Sequence, residues 1–307
     1  MRSMKSVLAL LACCAAFTGC GGKSSTVPTP PSTTSDAALV SAAVLADPTL
    51  LRDDMYESTN ATALGIGAPI AAGPLAAISP ITFFRMYTLA NRTVGVTFSD
   101  SDATGRPRRA DVQVNRDLTG MLHILVARAG LPLDTANVVH KIIRDGWTRH
   151  LRLVRVVDPT APDSATHWVL QGASAITVLS NHAQVALRSV SLQGLPGAPF
   201  QLTITDPTEL WTTGTRPVLP AGQYLTVRID TGVPGQLAFL YSLDRRVRMN
   251  ELGLGLYEGA IYVDPNTASL ANPHFAVNVM SRGTLFDDAL PYDSATWIIP
   301  YGIGLAR

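Results

Sequence analysis

The sequence predicts a mostly β protein, built from two antiparallel β domains with short helices near its N-terminal end. Three observations carry that expectation. Beyond residue 82, short runs rich in Val, Ile, Thr and aromatic residues are separated by Gly, Pro, Asp and Asn turns. No segment between those runs offers a helical period long enough for a crossover, which argues against βαβ units. The 307 residues are 47% hydrophobic and only 15% charged, the balance of a chain that buries a core.

The first element is an address. Arg2 and Lys5 precede an apolar run over residues 7–17, which ends in Phe17-Thr18-Gly19-Cys20. The run is too short to cross a bilayer as a helix, and a basic start with a small-residue exit marks an export signal over residues 1–19. With Cys20 directly after Thr18-Gly19, the segment resembles the lipobox of bacterial lipoproteins, with Phe17 where Leu is usual. The resemblance implies that Cys20 is lipidated and becomes the mature N-terminus. It also implies a lipid-anchored protein of the bacterial cell envelope, at the outer membrane, since Gly21 stands where an inner-membrane retention Asp would be. Without lipidation the expectation is simple secretion.

Residues 20–37 then read as the lipidated Cys20 and a tether, GGKSSTVPTPPSTTSD, with no apolar period to bury. Two or more acyl chains on Cys20 would make anchoring stable where one is marginal. The three cysteines are Cys13, Cys14 and Cys20, so a chain matured at Cys20 has no disulfide. It would carry 22 basic and 23 acidic residues, a formal net charge of −1. A nucleic-acid partner would need a clustered basic surface, so none is expected.

The N-terminal domain is expected over residues 38–160. Asp47-Pro48 offers a helix start in an Ala- and Leu-rich stretch, and one or two short helices are predicted across 37–64. Residues 65–84 are almost wholly apolar, but Pro69, Pro74 and Pro80 would break a membrane helix, so a buried loop is predicted. Strands follow over 83–89, 93–98, 110–115, 121–128, 138–144 and 148–156, with Asp145-Gly146 as a tight hairpin turn. The DPTAPD segment at 158–163 marks the boundary to a second domain over 161–307.

Further short strands are predicted over 168–170, 175–179, 185–192, 201–205, 224–229, 237–243, 257–263 and 275–280, a sandwich pattern. Within them, GLGLYEGAIYV at 253–263 resembles the approach to strand F of immunoglobulin-like domains, where a tyrosine follows a turn glycine. The resemblance implies an immunoglobulin-like sandwich with Tyr257 as its corner tyrosine and without the paired cysteines of antibody domains. That fold hosts many unrelated roles and implies no activity.

Asp100-Ser-Asp102-Ala-Thr104-Gly105, with Asp111 at the twelfth position, matches half of a calcium loop. Its flanks read as strands and Arg106, Arg108 and Arg109 crowd it, so a hairpin turn is the stronger reading. Asp287, Asp288 and Asp293 bring carboxylates together, yet adjacent acids diverge from a regular backbone, and a solvated turn is expected. Ser174 in GASAI lacks the second glycine of a nucleophile elbow. The six histidines, His123, His140, His150, His167, His182 and His274, show no HExxH and no metal-binding pair on a predicted helix. Arg149, Arg152 and Arg155 read as long side chains covering a sheet face rather than a basic binding stripe.

The expected function is therefore a cell-envelope lipoprotein acting as a binding or structural module, with Cys20 as lipidation site and no catalytic residue, metal or cofactor named. Its expected partners are the membrane, through lipidated Cys20, and an envelope polymer or protein. The alternatives are a hydrolase acting on envelope polymers and a calcium-dependent adhesin.

Overall fold

The computed structural model describes residues 33–46, 78–126, 138–157, 166–194, 200–212, 214–242, 245–269 and 273–304, and the export signal, Cys20 and the 158–163 segment lie outside them. All of the described residues fall in one compact unit, Thr33–Arg307. Helix α1 (Thr33–Ala46) precedes four long strands, β1 (Pro80–Ser101), β2 (Pro107–Val126), β3 (Val138–Val157) and β4 (Thr166–Ser180). Shorter strands follow: β5 (Ser189–Gly194), β6 (Gln201–Ile204), β7 (Trp211–Thr212), β8 (Val218–Pro220), β9 (Tyr224–Asp230), β10 (Leu237–Ser242) and β11 (Arg245–Arg248). The chain continues through β12 (Asn250–Gly253), β13 (Leu256–Tyr262), a 3-10 turn at Pro265–Ser269, β14 (His274–Met280), helix α2 (Arg282–Phe286), β15 (Ser294–Pro300) and β16 (Gly302–Gly304).

One sheet runs β1-β2-β3-β4-β15-β14-β10-β11 with β7 beside β4, and a second runs β12-β13-β9-β5-β6. Pairing within both sheets is antiparallel, and β16 and β8 form a small parallel pair. The mostly β, antiparallel class expected from the sequence is the class observed.

The first sheet curls on itself. Phe83 on β1 and Phe239 on β10 lie far apart in strand order, yet their rings pack edge to face at 5.2 Å. Arg246 of β11 also donates from Nη1 to the Phe83 carbonyl at 2.9 Å and sits 3.9 Å above its ring. Strand twist accumulated over these long strands produces such a half-barrel. Phe83, Leu122, Ile124, Leu151 and Phe239 fill the inside, with Val40 and Val44, four residues apart on one face of α1, fully buried among them.

A second core lies between the two sheets, where Val277, Val279, Trp297 and Ile299 meet Val190, Leu192, Val227, Ile229 and Tyr257. Strands β14 and β15 are thus buried on both faces: Ala276 and Ile298 belong to the first core, Val277 and Ile299 to the second. That explains why every residue of β15, SATWIIP, is buried and why no polar alternation announced it. Tyr257 is buried in this sandwich, and its hydroxyl accepts from the Gln236 backbone N–H at 2.8 Å. The turn before it places Gly253 and Gly255 at φ 103° and 82°, where a side chain would be strained.

Several expectations are corrected. The paired runs predicted over 83–98, 110–128 and 138–156 are single strands, β1, β2 and β3. Asp145-Gly146 is not a turn: Asp145 sits within β3, opposite Leu118 and Ser180, because its carboxylate finds tyrosine hydroxyls inside the curl instead of turn amides. β4 pairs with β3, so one sheet carries strands from both sides of the 158–163 segment. The last residues of the expected tether are helical, with Asp36 in the first turn of α1, where its charge complements the helix dipole. The helices predicted beyond residue 46 and residues 65–77 of the loop predicted over 65–84 lie outside the described residues, and the end of that predicted loop, from Pro80, is instead the start of β1.

Candidate functional site

The two-residue period of the long strands separates two chemistries. Arg85 and Tyr87 of β1, Arg116 of β2, and Lys141, Asp145 and Arg149 of β3 all point into the curl. Arg85, Arg116, Lys141, Asp145 and Arg149 are each at most 7% exposed. Buried charge persists only with partners, and for Arg85, Lys141 and Asp145 these include groups across the curl. Arg85 donates from Nε to the Tyr292 hydroxyl at 3.1 Å, and from Nη2 to Asn278 Oδ1 at 3.1 Å and Ser294 Oγ at 3.4 Å. The Tyr292 hydroxyl donates on to Asp145 Oδ2 at 3.2 Å, where the Tyr87 hydroxyl also donates at 2.9 Å. Asn278, fully buried, donates to Ser294 Oγ at 2.6 Å and Thr296 Oγ1 at 2.7 Å. This polar seam ties β1 and β3 to β14, β15 and the loop before β15. Its chemistry is that of a cross-link, in which guanidinium, phenols, amide and carboxylate bond to one another.

Lys141 extends the seam. Its ammonium donates to the carbonyls of Gly283, at 2.9 Å, Leu290, at 2.7 Å, and Asp287, so it gathers the end of α2 and the following loop. Burial pushes its pKa down to about 8, against the opposing pull of Asp287 and Asp288. Arg116 lies 5.6 Å from the centre of the Trp147 ring, and burial lowers its pKa as well.

The outer face of the same strands is different. Phe84, His123 and His140 lie in register across β1, β2 and β3. Phe84 stacks on His123 with centroids 4.7 Å apart and planes 4° from parallel, and His123 meets His140 edge to face, also at 4.7 Å. The neighbouring row is Met86, Met121 and Ile142, with exposures of 58%, 43% and 66%. Partial burial, followed by the charge of His140, lowers the His123 pKa.

No protein-family model, curated protein or solved structure matches this chain.

The Asp100 loop is a built turn. Asp102 Oδ1 accepts from the Thr104 N–H and hydroxyl at 2.9 and 2.6 Å and from the Arg106 N–H at 3.0 Å, while Oδ2 pairs with Arg155. The Thr104 hydroxyl leads the bonds that hold the Asp102 pKa at about 2. Asp111 lies apart, paired with Arg152 at 2.7 Å and accepting from the Ser99 hydroxyl at 3.1 Å. These carboxylates face donors and guanidinium groups rather than one cation position. Among the described residues there is no group of three or more His, Cys, Asp or Glu able to hold a metal.

Asp287 matches the turn expectation, accepting from the Ala289 N–H at 2.9 Å. Asp293 does not: it is buried, and its carboxylate accepts from the Gln184 N–H at 3.1 Å. Ser174 is buried at the register shift between β3 and β4, where its hydroxyl accepts from the His150 N–H at 2.9 Å, so it fills an irregular ladder rather than a nucleophile's post. Arg149 and Arg152 lie on opposite faces, because three residues along a strand reverse the side. Cys20 lies outside the described residues. The His123–His140 pair has no helical spacing to mark it, because the two residues meet across strands. The available signal was the hairpin, which folds one histidine onto the other.

Proposed function

We propose that this protein is a lipid-anchored module of the bacterial cell envelope, joined to the membrane through Cys20 and acting by binding or as a structural unit. The observation that carries the reading is the leader: Arg2 and Lys5, an apolar run too short to span, and Cys20 directly after Thr18-Gly19. The polar, proline-rich stretch that follows suits a spacer between an acylated residue and a folded body. The packing of two antiparallel sheets around one core supports reading these strands as a sandwich, whereas the Tyr257 hydroxyl bonds Gln236, 21 positions upstream, and not the nearby backbone that a tyrosine corner uses. The calcium-adhesin reading draws no support from a loop whose Asp102 is engaged by its own turn.

Intact mass and membrane partition of the protein made in a bacterial host, beside Cys20→Ala, test the proposal. The expected result is a mature start at Cys20 with an acyl mass increment, both lost with membrane association in the variant. A soluble, unacylated product cleaved at another residue would overturn it.

A further inference from the structure

We infer that the outer face of β1–β3 carries a binding site for a soft monovalent metal ion, cuprous copper or its analogue silver, with His123 and His140 as imidazole ligands and Met121 and Met86 as thioether ligands. The inference is independent of whether Cys20 is acylated. Register supplies the first argument. His123 and His140 are directly opposed across β2 and β3, and Met121 sits two residues before His123 on the same face. Met86 is opposite Met121 and one row from His123, within reach for a long, flexible side chain.

Distance supplies the second. A metal–imidazole bond of about 2.0 Å puts the ion about 3 Å from each ring centre, so two rings can share it when their centres lie within about 6 Å. The His123 and His140 centres are 4.7 Å apart. Phe84 covers one face of the His123 ring and limits its rotation.

The surroundings decide the kind of ion. The flanking rows on this face hold Thr82, Leu125 and Val138 on one side and Thr88, Thr119 and Arg144 on the other, so among the described residues these rows bring no carboxylate to the cluster. Calcium and magnesium need oxygen ligands, and Arg144 opposes a dication. Imidazole with thioether is a set that favours cuprous copper. Met86 and Met121 are 58% and 43% exposed, so core packing does not explain two thioethers placed opposite one another.

The test uses the full chain in mild detergent with Cys13, Cys14 and Cys20 each replaced by Ser, so that no thiol competes. Cuprous copper is titrated against a coloured cuprous chelator under reductant, and silver is followed through the methionine methyl NMR signals. One ion per chain is expected, with the methyl signals of Met86 and Met121 moving. The double variant His123→Ala/His140→Ala should bind at least about 100-fold more weakly, since even outer-shell partners of metal sites are worth about 10–100-fold. Met121→Leu should weaken binding about 10-fold and His182→Ala should leave it unchanged. Circular dichroism checks that each variant keeps its sheets. Equal binding by wild type and the double histidine variant, or no binding, would overturn the site. Histidine-dependent binding of zinc that ignores Met121→Leu would overturn its assignment to a soft ion.

Discussion

Strands β1 to β3 present two faces made from alternate residues of the same sequence, and the faces have opposite characters. Inside, Arg85, Lys141 and Asp145 are buried and bonded across the curl to residues more than a hundred positions away. Outside, Phe84, Met86, His123 and His140 make contacts confined to neighbouring strands or remain exposed. Arg85 and Met86 are adjacent in sequence and share almost nothing in environment. Closing a sheet into a curl turns one face into an interior whose polar groups hold the closure. The other face stays open to whatever the protein meets.

Emptying the seam removes what sets the inner face apart from the outer. Asp145→Ala removes the acceptor of two tyrosine hydroxyls from an interior that retains Arg85, and removing one member of a buried charged network costs about 3–5 kcal/mol. Urea unfolding should show a loss of that size. A smaller effect comes from Lys141, whose folded pKa of about 8 lies below its ordinary 10.5. A lysine depressed in this way burdens the fold while charged, because the unfolded chain holds the proton more tightly. Stability attributable to Lys141 should therefore rise as pH increases from 8 to 10.5, by on the order of 3 kcal/mol relative to Lys141→Met. Denaturant midpoints of the two proteins across that range check the sign, and a falling difference would contradict it.

The class of the fold was legible because turn residues and β-branched runs alternate along the chain. Its layout was not. Residues 83–89 and 93–98 read as two strands because polar residues separate them, yet the interruption is a register shift between Leu89 and Arg92 inside one strand. β15 was invisible because both of its faces are buried, which erases the period that sequence patterns rely on. Asp145-Gly146 carried the residues of a turn and none of its geometry, since partners for Asp145 come from distant Tyr87 and Tyr292. The outer histidine pair was hidden for a related reason. Its proximity is set by hairpin register, and register depends on which residues face the core.

The two faces divide structure from surface, and adjacent residues on opposite faces reveal that division. Urea unfolding of Arg85→Met and Met86→Ser, measured side by side, is the experiment. Arg85→Met should lower stability by about 3 kcal/mol or more, through the buried acceptors it leaves behind. Met86→Ser should stay within about 0.5 kcal/mol of wild type, as exposed positions do. Equal losses from the two substitutions would contradict the account.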